Sequence, residues 1–213
     1  KTDYYFINSI GSDEVGTGDY FGPIIVCASY VNRKDISFLE ELGVRDSKKL
    51  TDDKILKIAP EIIKRIPHQE EIISNAEYNN MNKIKAIYHN KAILGLMKKD
   101  NFVYDMVVVD QFTPERNYYN YLKSEPNVFR KIKFTTKAED KCLSVACSSI
   151  ISRYLFLKEI EKMGNSLGSF IPKGASTLVD DYGKKIVQNF GKEKLRSIAK
   201  LNFKNTEKIL NEN

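Results

Sequence analysis

Apolar residues first cluster at residues 4–10 and 22–31, two runs of Ile, Val and aromatic side chains separated by glycines and acids. Short branched runs bounded by glycine predict strands, here an antiparallel pair. The pattern then changes period. Ile55, Ile58, Ile62 and Ile63 fall on one helical face behind Thr51-Asp52-Asp53, a capping sequence, and Pro67 follows the helix, which is expected to end near Arg65. Residues 70–74 predict a short strand, and residues 84–98 a helix buried through Ile84, Ile87, Ile93, Leu94 and Leu96. Residues 102–109 form the most continuous apolar run and predict a core strand that stops at Asp110. A strand over 132–136, a long helix over 139–163 and helices over 176–190 and 192–199 complete the pattern. The small residues Ala146, Cys147, Ser148 and Ser149 would let the long helix pack closely on a sheet, and the polar end after Asn205 is expected to fray. Strands first, then strands alternating with helices, describe an α/β fold with a mixed sheet flanked by helices.

Composition narrows the function classes. A chain of 213 residues with 42% hydrophobic content can bury one good core, and a net charge of +6 suits an anionic partner. The lysines are dispersed along the chain, not gathered in basic blocks. Cys27, Cys142 and Cys147 lie in apolar surroundings without paired spacing, which reads as reduced, buried thiols. His68 and His89 are the only histidines, so a histidine-rich metal centre is excluded and any metal must be held by oxygen, favouring Mg²⁺ or Mn²⁺. No apolar run reaches the ~18 residues of a membrane span, and no signal peptide is visible, so a cytoplasmic protein is expected. The chain opens at Lys1 without methionine, as a fragment would.

Candidate chemistry sits on acids far apart in sequence. Asp13 and Glu14 adjoin in Gly11-Ser12-Asp13-Glu14-Val15-Gly16-Thr17-Gly18-Asp19, where Gly16 and Gly18 would let a ligand approach the backbone. Asp110 ends the best core strand, where α/β sheets open into a crevice. Glu139 and Asp140 open the long helix and suit its dipole, so either could cap it or join the other acids. Carboxylates gathered in one cleft raise one another's pKa, and two divalent ions ~4 Å apart would relieve that repulsion. Arg45-Asp46-Ser47-Lys48-Lys49-Leu50 offers Ser47 and Lys48 as phosphate contacts, or simply a solvated basic loop.

In order along the chain, Asp13–Asp19 with Gly22-Pro23, Asp46–Leu50, Val107–Asp110, Lys137-Ala138-Glu139 with Ser148–Arg153, Pro172–Ala175 and Lys200–Thr206 resemble the type 2 ribonucleases H, and among them the ribonuclease HIII branch. The resemblance implies a ribonuclease H fold with a five-stranded mixed sheet and a helical C-terminal extension from about residue 165, all within one catalytic domain over residues 1–213. It implies endonucleolytic hydrolysis of the RNA strand of RNA–DNA hybrids, using Mg²⁺ or Mn²⁺, by a monomer. Asp13, Glu14 and Asp110 match the first three metal-binding acids; spacing to Ser149 favours Glu139 as the fourth, with Asp140 the alternative. Gly16-Thr17-Gly18 stands where the sister ribonuclease HII carries Gly-Arg-Gly, whose backbone reads a ribose 2′-hydroxyl, and Thr17 favours the HIII branch. Two departures from the family pattern are expected: an N-terminal TATA-binding-like domain is missing from the residues at hand, and Asn202 stands where histidine is expected.

Overall fold

Five runs rich in β-branched residues pair into one mixed sheet: β1 (Ser9–Val15), β2 (Ile24–Val31), β3 (His68–Ile73), β4 (Met106–Asp110) and β5 (Ile132–Thr135), ordered β3-β2-β1-β4-β5. The computed structural model describes residues 4–74 and 80–211. Every residue of β2 is buried, as a strand covered on both faces must be. β1 and β4 run parallel, with Ser9 beside Met106 through to Ser12 beside Val109. β4 and β5 are also parallel, and their register ends with Asp110 beside Thr135. The helices are α1 (Ile36–Leu42), α2 (Asp52–Arg65), α3 (Met81–Met97), α4 (Glu115–Tyr121), α5 (Leu143–Leu167), α6 (Thr177–Phe190), α7 (Lys192–Ile198) and α8 (Asn205–Leu210). None of them, among the described residues, is long and apolar enough to cross a membrane.

The chain divides into two compact units, one of residues 1–14, 26–71 and 81–154, the other of residues 15–25, 72–80 and 155–213. In the first, Val108 packs with Ala138, Cys142 and Val145, and Arg153 grips Asp52 through two hydrogen bonds of 3.0 and 3.2 Å. In the second, Tyr20, Phe21 and Ile25 share a core with Phe156, Ile160, Val179, Leu195 and Ile209. The three cysteines are buried free thiols.

Several boundaries differ from those the sequence predicts, each for a local reason. The first strand begins at Ser9, because residues 4–7 form a turn in which the Tyr5 hydroxyl donates to Glu40 Oε2. Gly11, Ser12, Asp13 and Glu14 therefore lie on the strand and not in the turn after it. β4 starts at Met106, since residues 102–105 are held by side chains instead: Phe102 packs on Tyr30, and Tyr30 donates to the Val103 carbonyl. The inner face of α3 is Ala86, His89, Asn90, Ala92, Ile93 and Leu96, while Ile84, Ile87 and Leu94 are only half-buried. Polar residues can turn inward there because Asn90 bonds the Asn127 carbonyl and the Phe129 N–H, and His89 is bonded at both nitrogens. Glu139 and Asp140 occupy a separate 3-10 turn, Ala138–Asp140, ahead of α5. The tail expected to fray forms α8, pinned by buried Ile209 and by Asn205, which bonds Asp180 and the Ala175 carbonyl.

At Gly11, β1 packs tightly against α5. A Cβ there would lie 2.3 Å from the Val145 nitrogen and 2.6 Å from the Ser144 carbonyl carbon, both backbone atoms that cannot rotate away. Gly11→Ala is expected to destabilise by about 1–3 kcal/mol through overpacking, read as a lower denaturation midpoint at unchanged m-value. A neutral effect would contradict this packing.

Candidate active site

Register brings the first two acids together. The residues that follow Ser12 and Val109, paired across parallel strands, are Asp13 on β1 and Asp110 on β4. Adjacent strands lie ~4.8 Å apart, so side chains at their shared C-terminal ends crowd the same crevice. The chain leaves β5 beside Asp110 and turns at Lys137, the one non-glycine residue with positive φ (51°) among those described. That turn directs the Ala138 N–H to Asp110 Oδ1 at 3.0 Å and starts the 3-10 turn that carries Glu139.

Side chains alternate along a strand, so Ser12 and Glu14 share one face of β1 while Gly11 and Asp13 share the other. On the first face lies α3. Lys85 Nζ approaches Glu14 Oε1 at 2.8 Å, and His89 Nε2 approaches Glu14 Oε2 at 2.8 Å. An ionised carboxylate only accepts, so Nε2 carries a hydrogen, and Ser12 Oγ meets Nδ1 at 2.6 Å. Phe112 stacks on His89 and lies beneath the Lys85 ammonium. The histidine is fully buried, and its bonds to Ser12 and Glu14 fix the Glu14 carboxylate in place. Sequence reasoning misses both Lys85 and His89. The only signal is a histidine on a helix face that the apolar spacing assigns elsewhere.

The electrostatics divide the acids. Burial pushes Asp13 well above its ordinary value, and the charges of Glu14, Asp110 and Glu139 push the same way against one N–H from Glu14. Burial also raises Asp110; the Ala138 N–H offsets part of that, and Glu139 and Glu14 add to it. For Glu14, burial acts upward but the bonds and charges of His89 and Lys85 outweigh it, holding the carboxyl at about 2. Glu139 acts on both Asp13 and Asp110, whereas Asp140 does not rank among the main influences on either. Lys48, raised chiefly by its bond to Glu139, bridges Glu139 Oε1 at 2.9 Å and Asp140 Oδ2 at 3.3 Å. Asp140 is half exposed; Glu139 is mostly buried, and its Oε2 has no hydrogen-bond partner.

Asp13, Glu14, Asp110 and Glu139 are thus close enough for their charges to act on one another. Ser47 and Lys48 lie in the 3-10 turn Val44–Lys49, where the Ser47 hydroxyl is buried without a partner and Lys48 faces outward. In the other unit, Gly16 has φ +100° and packs on the Pro23 carbonyl, Thr17 is half-buried, and Gly18 is exposed with open space at its Cβ position. Among the described residues, no three of His, Cys, Asp and Glu form a ready cage for an ion. The Glu14 oxygens are instead turned to Lys85 and His89, Glu139 Oε1 to Lys48, and Asp13 Oδ1 and Asp110 Oδ1 to backbone N–H groups. The donor set still fits a hard divalent cation, because it is all oxygen, one buried oxygen is unpartnered, and two carboxyls resist ionisation without added positive charge.

Comparison with known proteins places the chain in a family. Residues 10–206 match the family model described as Ribonuclease HII. The chain is 48% identical over 210 residues to a ribonuclease HIII of Phytoplasma mali, covering 94% of this chain and 72% of that protein. The chain belongs to the ribonuclease HII family, on its ribonuclease HIII branch. A ribonuclease HIII of Lactococcus lactis is 45% identical over 211 residues, covering 95% of this chain and 72% of that one. Bst-RNase HIII, solved in complex with Mn²⁺, superposes with a TM-score of 0.94 at 39% identity, covering 98% of this chain and 71% of that chain. Ribonuclease H2 from Pyrococcus horikoshii, at 21% identity, covering 95% of this chain and 96% of that one, shares the fold with a TM-score of 0.75. Membership makes this ribonuclease HIII relative a ribonuclease.

The charge balance predicts a pH effect on stability. A carboxyl raised above its unfolded value contributes stability that is fully present below 3.8 and is lost as pH rises through the folded value. An uncharged amide in place of the Asp13 carboxyl would carry no such penalty and could still accept the Glu14 N–H. In chelator, Asp13→Asn should therefore gain on the wild type as pH rises from about 4 to 7. Thermal unfolding in EDTA checks this; a variant no more stable than the wild type at neutral pH would contradict the crowding of charge.

Proposed function

We propose that this chain is an endoribonuclease that hydrolyses the RNA strand of RNA–DNA hybrids with divalent metal ions, leaving 5′-phosphate and 3′-hydroxyl ends. The observation that carries the proposal is the mutual repulsion of Asp13, Glu14, Asp110 and Glu139, with a buried Glu139 oxygen left unpartnered. The Mn²⁺ complex of Bst-RNase HIII supports the choice of Mg²⁺ or Mn²⁺. A protein that only bound nucleic acid would gain nothing from negative charge beside phosphate.

In this reading Asp13, Glu14, Asp110 and Glu139 would hold the divalent ions. Bound there, the ions would supply the charge that activates a water and stabilises the departing 3′-oxygen. Lys85 and His89 keep Glu14 ionised and oriented, so it is ready as a ligand at neutral pH. Lys48, half exposed beside Glu139 and Asp140, would be the ammonium that takes a phosphate. Ser47 would join that contact only after its hydroxyl turns outward. Backbone N–H groups of Gly16, Thr17 and Gly18 take the ribose 2′-hydroxyl, the group that separates RNA from DNA.

The test is cleavage in Mg²⁺ and in Mn²⁺ of two labelled duplexes, one with an all-RNA strand and one with a single embedded ribonucleotide. The all-RNA hybrid is expected to be cut far better, with Asp13→Asn inactive on both while still binding hybrid. Strong preference for the single ribonucleotide would instead indicate ribonuclease HII-like specificity. Full activity in the Asp13→Asn variant would overturn the metal-site assignment.

A further inference from the structure

Lys200 is fully buried, among the largest side chains with no solvent exposure. A buried ammonium is costly unless it is fully bonded, and most buried lysines face a carboxylate. This one faces two main-chain carbonyls: Nζ donates to Asp19 O at 2.6 Å and to Gly22 O at 2.5 Å. Burial pulls its pKa down to about 8, and the nearby charge of Asp19 opposes that only in part. A fold that tolerates this cost for a lysine, where leucine or methionine would fill the volume, uses the ammonium for something.

What it holds is the exit of the glycine loop. Lys200 N donates to Tyr20 O at 2.8 Å, Gly22 N donates to Ile198 O at 2.9 Å, and Phe21 bridges Ala199 in antiparallel fashion. On the opposite side, Tyr20 N donates to Gly174 O at 2.9 Å, and Gly174 N donates to Asp19 Oδ1 at 2.7 Å. The peptide between Asp19 and Tyr20 is therefore gripped at both ends, its C=O by Lys200 and its N–H by Gly174. A trans peptide is planar with C=O and N–H opposed, so this fixes the whole plane. Asp19 N in turn donates to Gly16 O at 3.2 Å, closing the turn over Thr17 and Gly18. At its start Gly16 abuts the Pro23 backbone, and at its crest Gly18 faces open space. The loop is anchored at both ends and bare in the middle, the form a backbone recognition element requires.

We propose that Lys200 is a positioning residue for ribose recognition: by holding the Asp19 and Gly22 carbonyls it fixes the turn that presents the Gly16–Gly18 backbone, and so sets the preference for a ribonucleotide over a deoxyribonucleotide. The proposal rests on the reading of Gly16–Gly18 as the 2′-hydroxyl reader. Loss of the ammonium would leave the acids untouched and loosen only the presentation of the loop.

The experiment measures cleavage at one mapped phosphodiester in two hybrids that differ only in a 2′-hydroxyl or 2′-deoxy group beside the cut. Wild type, Lys200→Met and Lys200→Gln are compared, with thermal unfolding of each. Methionine fills the volume without donors, and glutamine keeps two N–H donors on an uncharged head. Wild type is expected to prefer the ribose by more than about tenfold, the worth of one hydrogen bond. In Lys200→Met that ratio should shrink toward one through loss on the ribose substrate, and in Lys200→Gln it should lie between the two. Lys200→Gln carries the comparison if Lys200→Met does not fold. Equal slowing on both substrates, with the wild-type ratio kept, means a merely structural lysine and overturns the inference. A wild-type ratio near one would instead remove the underlying reading of the loop.

Discussion

Like charges forced together at the ends of two parallel strands are the constraint around which the first unit is built. The parallel register of β1 and β4 leads Asp13 and Asp110 out side by side, and the turn at Lys137 brings Glu139 to them. Without counter-charge such a cluster would protonate or push apart. The fold answers with Lys85 and His89 on Glu14 and with Lys48 on Glu139. Those partners do not reach every oxygen. The partnerless Glu139 Oε2 and the raised carboxyls of Asp13 and Asp110 leave a demand for positive charge that divalent ions would meet.

The two neighbours Asp13 and Glu14 are consequently not equivalent. Both lose solvent, yet one is driven up and the other down, because alternation along β1 turns Glu14 toward Lys85 and His89 of α3 and Asp13 toward other acids. A pair whose environments separate their protonation in this way is a common mark of a working site. The same strand explains Gly11: α5 must come close enough for Ser148 to donate to the Gly11 carbonyl, at 2.7 Å, and a side chain there would hold it off.

Much of this is legible in the chain, and the gaps have physical causes. Asp110 is readable as the end of a strand because three valines precede it, a β-branched run that favours a buried strand. The α2 helix is readable from its cap and its spacing, and Thr51 does accept from the Lys54 N–H. The sequence favours Glu139 over Asp140 only by its spacing to Ser149, since acids before a helix serve as caps in either position. The fold adds a difference in burial, with Glu139 mostly covered and Asp140 half exposed. α1 and α4 escape notice, the latter because its mostly polar residues hide a buried Tyr118. His89 and Lys200 cannot be read at all. Their meaning comes from partners 75 and 181 positions away, and local periodicity carries no information about contacts at that distance.

The account stands on the four carboxylates being a cation site held ready by lysine and histidine. Diffraction from crystals of the protein grown with Mn²⁺, using the metal's anomalous scattering, addresses this directly. The expected map has a peak bound by Asp13 with at least one of Glu14, Asp110 and Glu139, at the roughly 2.0–2.6 Å of hard-cation oxygen ligation, and Lys48 drawn off Glu139. Mn²⁺ found only at other surfaces, with Lys48 still seated on Glu139 at saturating metal, would contradict it.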